Sequence, residues 1–519
     1  GPVTAGGLRG DKSRFQLFGD TVNTAARIET TGLRSRIHLS QETAALLKEA
    51  GKEHWVVARE DVVTAKGKGE LNTYWLLPKD STNPEEFNRQ VKEHLTSLKA
   101  GTNGDVKQSD SKIPRHTEMS PKVHRLVDWN VDVLRKLLKQ IVASRQTEAE
   151  AKKTKESPAV VYRAEKRILN REGMPLDEVT ETLTLPKPDA NEETAVNPNN
   201  VELPEEVSAQ LREYVEALAV SYRDNPFHNF EHASHVTMSV SKLLSRIVAP
   251  DEDADENVAS AITRDPLAQF AIVISALVHD ADHVGVPNFL LIKENPKMAS
   301  GYQNKSIAEQ NSVDIAWETL MAPKFSALRE TIYTNVYELH RFRQLVTNTV
   351  LATDIFDKEL QALRKKRWEM VFSGEAKDSI QQEDIDRKTT IVIEHLIQAS
   401  DVAHTMQHWH IYQKWNERLY AEMLNAYKTG RWDRDPTPGW YEGELGFFDN
   451  YVIPLARKLK DCGVFGVSSD EYLNYAMENR REWAKKGQEV VSKMIDKYDA
   501  PKIKPPAVEE EKGDAGSSK

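Results

Sequence analysis

Cysteine is almost absent from this sequence: among 519 residues, Cys462 is the single thiol. One thiol excludes an internal disulfide and any zinc site made of several cysteines, and it is typical of a reducing compartment. Long apolar runs are missing too, because the longest, Phe270–Val278, is far shorter than the ~20 residues that a membrane-spanning helix needs. We therefore expect a cytoplasmic protein without a transmembrane span.

An excess of positive charge is also lacking. The 70 lysines and arginines are outnumbered by 80 acidic residues, which gives a net charge of −10, and no basic block stands out. Because nucleic-acid-binding proteins need a basic face, we expect no nucleic-acid partner. The sequence begins at Gly1 without an initiator methionine or a signal peptide, so we expect a piece of a longer protein, with any membrane anchor upstream.

Changes in composition divide the chain into four parts. Residues 1–77 mix glycines with short β-like runs and one helix-like run, which is typical of a small α/β fragment. Residues 78–200 are polar and charged and are interpreted as a linker, with a helix around 123–141 that either packs on the next domain or joins two chains in a homodimer. Residues 201–498 show helical periodicity throughout and predict one helix bundle, and 499–519 form a charged flexible tail.

A pair of histidines opens the helical region, in the run FHNFEHA at 227–233. His228 and His232 are four residues apart, so on a helix they share one face and their imidazoles can converge. Most pairs at this spacing are surface accidents or core histidines, so the pair alone carries little weight.

Three apolar helices, however, each end in acidic residues. Burying charge costs several kcal/mol unless the groups are paired or bind a metal. Separately capped helix ends would explain any one of these helices, but they explain the set poorly, and we predict a shared metal site. The helices and the polar residues that follow them are Phe270–Val278 with His279 to His283, Thr389–Ala399 with Asp401 and His404, and Leu345–Ala352 with Thr353 and Asp354.

The residue types narrow the chemistry of that site. Imidazole and carboxylate without thiolate suit Zn, Mn, Fe or Mg, and a mixed set suits two metals. Two ions ~3.5–4 Å apart leave room for a bridging water that ionises near neutral pH and attacks a phosphoester. The leaving alkoxide needs a proton, and a positioned acid is worth ~10²–10⁴-fold. A histidine beside the metals, kept protonated by a neighbouring acid, would supply it.

These motifs resemble the class I cyclic nucleotide phosphodiesterases over about residues 200–495. The resemblance implies a mainly α fold, a multi-helical phosphodiesterase bundle of the His-Asp type, with the small α/β fragment before it. The matching segments, in the family's order, are FHNFEHA at 227–233, HDADHVGVPN at 279–288, SIAE at 306–309, LATD at 351–354, Asp401, and LGF at 445–447.

The resemblance also implies a role for each matching residue. His228 would be the general acid that protonates O3′ of the leaving ribose. The remaining expected residues fall into three groups. Zinc would be held by His232, His279, Asp280 and Asp401; a second ion, magnesium or manganese, would share Asp280 and be held through waters ordered by His283, Glu309 and Thr353; the nucleotide would contact Phe447, Leu419, Glu444 and His404, with Glu482 an acid near the base of the pocket.

The sequence departs from the family pattern at three positions. Glu444 stands where the family has a glutamine, whose amide serves either purine because it both donates and accepts. An ionised carboxylate only accepts: at a Hoogsteen edge it favours the adenine amino group, and at a Watson–Crick edge it pairs with guanine. The purine preference stays open, with a lean to cAMP. His235 replaces the usual aspartate beside the metal ligands, and Val284 replaces a common proline.

The amino-terminal fragment carries a second resemblance. Its run FGDTVNTAAR at 18–27 puts Asn23 and Arg27 on one helical face, usually a solvated one. Together with the run GKG at 67–69, this fragment resembles the last part of a class III nucleotidyl cyclase domain, particularly that of guanylate cyclases. The resemblance implies that Asn23 and Arg27 stabilise the transition state, that Lys66 or Lys68 contacts phosphate, and that Gln16 takes the purine-selecting position. The family's metal-binding aspartates lie upstream, so we expect no cyclisation by this fragment.

The function predicted from all of this is hydrolysis of a 3′,5′-cyclic nucleotide, cAMP or cGMP or both, to the 5′-monophosphate. Water activated between zinc and magnesium would attack, and His228 would act as general acid. The alternatives are another metal phosphohydrolase of the His-Asp type and a regulatory module that binds cyclic nucleotide without cleaving it. A homodimer would form through the amino-terminal fragment or the 123–141 helix.

Overall fold

The structure is a computed structural model in which the chain forms two compact units, Gly1–Ile113 and Pro114–Lys519. The residues that it describes are 4–8, 14–18, 24–25, 28, 31–32, 37–49, 52–59, 63–65, 69–76, 119–149, 158–169, 174–185, 196–247, 256–372 and 382–499. Most of the predicted linker and the tail beyond residue 499 lie outside these ranges.

The first unit contains short antiparallel strands and one described helix. Its elements are β1 (Thr4–Leu8), β2 (Arg14–Phe18), β3 (Ile37–Ser40), α1 (Gln41–Glu49), β4 (Val56–Ala58), β5 (Val63–Ala65), β6 (Gly69–Leu71) and β7 (Thr73–Leu76). Strand β7 lies between β3 and β4, while β1 pairs with β2 and β5 with β6. Alternation of side chains along β7 buries Thr73 and Trp75, and α1, with its buried Ala44, packs against this strand, as expected for a sheet with one covered face.

The second unit is built from helices. They are α2 (Pro121–Ala149), α3 (Pro158–Leu169), α4 (Glu205–Ser221), α5 (Phe230–Ile247), α6 (Glu256–Thr263), α7 (Pro266–Val278), α8 (Asn288–Glu294), α9 (Pro296–Gly301), α10 (Ile307–Met321), α11 (Ser326–Ile332), α12 (Val336–Leu351), α13 (Lys358–Phe372), α14 (Gln382–Asp401), α15 (Trp409–Lys428), α16 (Trp440–Phe447), α17 (Ile453–Asp461) and α18 (Val467–Asp499). The predicted mainly helical bundle with a small α/β part at the amino end is confirmed. None of the described helices combines the length and the apolar character needed to cross a bilayer.

Helix α7 lies at the centre of this unit and packs against α2, α5 and α12. It is apolar on all sides, as a helix buried on all sides must be. Asp265 begins it, because its side chain accepts a hydrogen bond from the backbone N–H of Ala268, and Pro266 follows at a position that needs no donor. The helix ends at Val278, so the polar run that starts with His279 emerges at the edge of the core.

Helix α2 contains the helix predicted around 123–141 and extends it at both ends. Its apolar stripe is covered by the second unit itself. The buried residues of the stripe are Val127, Val131, Leu134, Leu138 and Ile141. Helix α3 is also attached to this unit, because Arg329 of α11 pairs with its buried Glu165 at 2.9 Å. Part of the segment interpreted as a linker is thus folded against the helical unit.

Candidate active site

Four of the predicted metal ligands converge at the ends of three helices. His232 lies in the first turn of α5, His279 and Asp280 follow α7, and Asp401 is the last residue of α14. Nε2 of His232 lies 3.1 Å from Oδ1 of Asp401 and 3.6 Å from Oδ2 of Asp280. Nε2 of His279 lies 3.1 Å from Oδ2 of Asp280 and 3.5 Å from Oδ1 of Asp401. Two nitrogens and two oxygens therefore surround one small space.

The electrostatics of this cluster are those of a site that needs positive charge. Burial opposes ionisation of Asp280, but the neighbouring His279 and His228 hold the pKa of its carboxyl well below the usual range. Burial also opposes a charged imidazole at His279, yet the Asp280 and Asp401 carboxylates raise its pKa well above the usual value. A divalent cation would satisfy the same carboxylates in place of the proton, since metal binding releases protons from its ligands.

The donor set fits a metal ion. His279 donates from Nδ1 to the carbonyl of Ala276 at 2.9 Å, so the neutral ring directs the lone pair of Nε2 towards the carboxylates. That Nε2 is buried and makes no hydrogen bond. Ligand atoms about 2.1 Å from one ion lie roughly 3.0–3.4 Å apart when adjacent, close to the separations found here. His232 differs, because its buried Nδ1 has no hydrogen-bond partner.

The residues predicted to order a second ion form two groups, with Glu309 and Thr353 beside Asp354 and His283 beside His228. Oε2 of Glu309 accepts a hydrogen bond at 2.9 Å from Nδ2 of Asn288, which also reaches Oδ2 of Asp354 at 3.4 Å. Burial and the Asp354 carboxylate raise the pKa of Glu309 to about 8. Thr353 precedes Asp354 and donates its hydroxyl to the carbonyl of Val350 at 2.8 Å. A second cation would neutralise the negative charge of Glu309 and Asp354.

His283, the remaining residue of that predicted group, lies against His228, with ring centroids 3.9 Å apart. Nδ1 of His283 accepts the backbone N–H of Gly285 at 3.2 Å, so the proton of the neutral ring is on Nε2. Burial and the neighbouring His228 lower the pKa of His283 to about 4. Gly285 has a φ of +75°, which a residue with a side chain rarely adopts.

The sequence analysis missed the partner of His228, which is Glu422 on α15. Nδ1 of His228 lies 2.5 Å from Oε1 of Glu422, and Oε2 accepts the backbone N–H groups of Phe227 at 2.8 Å and of His228 at 3.0 Å. Burial opposes both charges, but each stabilises the other: the pKa of His228 rises to about 9 and that of Glu422 falls to about 2. The sequence offered one signal for Glu422: it is an acidic residue between the apolar residues Ala421 and Met423 on an amphipathic helix.

The residues predicted to contact the nucleotide are found in different surroundings. Glu444 is buried and accepts the Tyr412 hydroxyl at 2.7 Å, and burial raises the pKa of its carboxyl to about 7. Phe447 is half-buried and stacks on Tyr451, with ring centroids 5.4 Å apart. Leu419 is half-buried on α15, the helix that carries Glu422.

His404 and His235 lie beside the cluster rather than in it. The His404 ring is buried against Phe227 and Trp415, with centroids 5.5 and 6.0 Å away. His235 lies over Trp415 at 5.3 Å, and its Nε2 reaches Oε1 of Gln407 at 3.3 Å. Neutral rings are favoured here, because burial and then His232 lower the pKa of both.

Glu482 and the residues of the cyclase-like fragment complete the set of predicted site residues. Glu482 forms ion pairs with Lys485 and Lys486, one turn along its own helix. Asn23, Arg27, Lys66 and Lys68 lie outside the described residues. Gln16 lies in β2, opposite Gly6 of β1.

The fold and this cluster define a helical domain with a buried histidine–aspartate centre that can hold metal ions. Residues 227–464 match the family model described as 3′5′-cyclic nucleotide phosphodiesterase, and residues 1–78 match that of the adenylate and guanylate cyclase catalytic domain. The helical unit therefore carries a 3′5′-cyclic nucleotide phosphodiesterase domain over residues 227–464, and a fragment of a cyclase catalytic domain precedes it over residues 1–78.

Curated relatives match the two parts of the chain separately. The cGMP-specific 3′,5′-cGMP phosphodiesterase 3 of Dictyostelium discoideum is 23% identical over 287 residues, 54% of this chain and 56% of that protein. The probable 3′,5′-cyclic-AMP phosphodiesterase pde-4 of Caenorhabditis elegans is 28% identical over 280 residues, 52% of this chain and 39% of that protein. Guanylate cyclase soluble subunit beta-2 of Rattus norvegicus is 34% identical over 125 residues, 24% of this chain and 18% of that protein. The chain spans about half or less of each.

Among solved structures, the phosphodiesterase domain of the Salpingoeca rosetta rhodopsin phosphodiesterase matches with a TM-score of 0.44 and 22% identity. The match covers 56% of this chain and 84% of that one.

Proposed function

We propose that this chain hydrolyses a 3′,5′-cyclic nucleotide to the 5′-monophosphate. One observation carries the proposal: His232, His279, Asp280 and Asp401 meet beside His228, whose Nδ1 lies 2.5 Å from Oε1 of Glu422. The relatives named above as acting on cGMP and on cyclic AMP support this substrate class.

His232, His279, Asp280 and Asp401 would hold zinc, and the side of the site with Glu309 and Thr353 would hold magnesium or manganese through Asp280. When bound, these ions would supply positive charge that stabilises the phosphate oxyanions and makes a water molecule more acidic. The chain itself supplies the ligands, buries the two histidines while the two aspartates stay partly exposed, and orders the surrounding acids through Asn288.

His228 would provide the proton for the leaving group. Its Nδ1 is held by Glu422, which leaves Nε2 for the substrate. As the P–O3′ bond breaks and a P–O bond to water forms, O3′ takes the proton from Nε2. The proton that the water gives up passes to solvent and returns to His228 before the next turnover, so no proton is gained or lost by the chain. Such a positioned acid contributes ~10²–10⁴-fold. Glu422 acts through His228, since it fixes the ring and keeps it protonated.

Glu444, Phe447, Leu419 and His404 would form the base-binding side. The pKa of Glu444 near 7 means that both protonation states exist at neutral pH. A protonated carboxyl both donates and accepts, as a glutamine amide does, whereas the ionised form only accepts. We infer that the ionised form favours cAMP, so the purine preference would change with pH.

The test is hydrolysis of cAMP and of cGMP in ¹⁸O-labelled water with zinc and magnesium present. We expect a 5′-monophosphate that carries one labelled oxygen on phosphorus. A 3′-monophosphate, or turnover only of unrelated phosphoesters, would favour another phosphohydrolase. Tight binding without turnover, with metal content confirmed, would favour a regulatory binding module.

We also propose that the chain acts in the cytoplasm as part of a cyclase–phosphodiesterase fusion protein. We further propose that it forms a homodimer through its amino-terminal fragment. Since the second unit itself covers the apolar stripe of α2, that fragment is the better candidate for a homodimer contact. Light scattering of the full chain, and of one that starts at residue 114, tests this: the dimer should be lost with the fragment.

A further inference from the structure

The turn that follows α12 is held by side chains from two other helices. Nη2 of Arg364 donates to the carbonyl of Leu351 at 2.8 Å, and its Nη1 donates to that of Asp354 at 3.1 Å. Nε2 of Gln398 donates to the carbonyl of Ala352 at 2.9 Å. Carbonyls at a helix end have no partner within the helix, and water commonly satisfies them. Here two largely buried side chains do so instead.

Arg364 is itself held in place by an acidic neighbour, Glu394. Its Nε lies 3.9 Å from Oε1 of Glu394, whose Oε2 accepts from Nη1 of the fully buried Arg367 at 2.5 Å. Arg367 in turn donates to the carbonyl of Glu181 at 2.6 Å. A guanidinium presents its donors in a rigid plane, so one arginine can hold two carbonyls at a set separation, which a lysine cannot do.

The turn held in this way carries Thr353 and Asp354. Oδ2 of Asp354 accepts the Ser306 hydroxyl at 2.8 Å and shares Asn288 with Glu309. Arg364 and Gln398 thus fix the backbone of the turn, while Ser306 and Asn288 fix its acidic side chain. Gln398 lies one helical turn before Asp401 on α14, so the same helix supports both halves of the site.

We propose that Arg364, together with Gln398, is a positioning residue for the second cation of the site. This rests on the proposed function, which places that cation beside Glu309 and Thr353. Arg364 touches neither metal nor substrate; it sets where the turn lies. Partners that orient metal ligands typically account for 10–100-fold in metal affinity, and a residue one contact further out belongs at the lower end of that range.

The experiment is calorimetric titration of Mg²⁺ into zinc-loaded full-length chains. The variants are Arg364→Gln, Arg364→Lys and Gln398→Met, and the matched control is Lys365→Gln, an exposed neighbour on the same helix. We expect about 10-fold weaker Mg²⁺ binding for Arg364→Gln, about 1.4 kcal/mol. Arg364→Lys should recover part of it, the control should equal the parent, and zinc content should stay unchanged in all.

Unchanged Mg²⁺ affinity in a folded Arg364→Gln chain would overturn the inference, and so would loss of zinc together with magnesium, which marks a general folding defect. If Arg364→Gln gives no cooperative unfolding transition, Gln398→Met decides: the same weakening supports the inference, and parent-like affinity or failure to fold refutes it. A parent chain that binds no Mg²⁺ and hydrolyses no cyclic nucleotide would instead refute the proposed function.

Discussion

Replacing Glu422 by glutamine isolates the electrostatic part of the His228–Glu422 pair. The carboxylate accepts three hydrogen bonds, from Nδ1 of His228 and from two backbone N–H groups, and an amide can keep only those that its oxygen accepts. Without the negative charge of Glu422, the largest of the groups that raise it, the pKa of His228 should fall from about 9 towards its ordinary 6.5, because burial opposes the charged ring while Asp280 and Asp401 still favour it.

The size of the effect follows from the two pKa values. At pH 8 the protonated fraction of His228 would fall from about 0.9 to about 0.03, a loss of roughly 30-fold in kcat/KM, whereas at pH 6 the loss is less than about 2-fold. Bound cations would lower both pKa values, so the difference between the two chains is the quantity to compare.

The assay is the pH profile of kcat/KM for parent and Glu422→Gln between pH 5.5 and 9.5. Glu417→Gln is the control, since Glu417 lies on the same helix but faces Lys497. We expect a deficit of roughly 4-fold at pH 7 and roughly 30-fold at pH 8, which levels off at about 300-fold above pH 9. A deficit of the same size at every pH would refute the reasoning, because it would mean that Glu422 orients His228 without changing its charge.

Three further changes have defined outcomes. Asp401→Asn should lose the tightly bound metal ion by mass spectrometry, along with turnover, while Asp449→Asn at the surface keeps both. Glu444→Gln should make the cAMP-to-cGMP ratio of kcat/KM independent of pH. Because burial raises the pKa of Glu444, ionisation of this carboxyl destabilises the folded parent as pH rises from 4.5 through 7. In urea unfolding at pH 8, the variant should therefore be more stable than the parent by on the order of 3 kcal/mol. Arg329→Met should cost about 3 kcal/mol in the same measurement, since it leaves the buried Glu165 carboxylate with the Tyr333 hydroxyl but without its cation.

Each of these has an outcome that would contradict it. Full metal content in Asp401→Asn would remove that residue from the ligand set. A purine ratio that still changes around pH 7 in Glu444→Gln would assign the titration to another group. Unchanged stability of Arg329→Met would mean that Glu165 finds water or another donor.

The parts of the fold that the sequence predicted are those with local signals. The apolar run Phe270–Val278 can only be a buried helix, and the polar run after it therefore had to emerge at the edge of the core. The same logic identified the end of α14 and hence Asp401. Charged residues in such places are costly unless they are paired or bind a metal, which is why the sequence predicted that these histidines and aspartates share one site.

Glu422 and Arg364 were not predictable in this way. Both lie on amphipathic helices, where an acid or an arginine is ordinary. Their roles depend on contacts with residues elsewhere in the sequence: Glu422 contacts His228, 194 residues away, and Arg364 contacts residues 10 and 13 positions away. The attachment of α3 to the helical unit likewise depends on the Glu165–Arg329 pair, whose members read singly as surface residues.

The most direct test of the central claim is removal and return of metal. The full chain is stripped with a chelator, shown to be metal-free by mass spectrometry, and assayed for conversion of cAMP and cGMP to 5′-monophosphate before and after zinc and magnesium are restored. We predict no turnover in the stripped chain and recovery on restoration in the parent, but not in Asp280→Asn. Turnover by the metal-free chain, or none by a parent with both metals bound, would contradict the account.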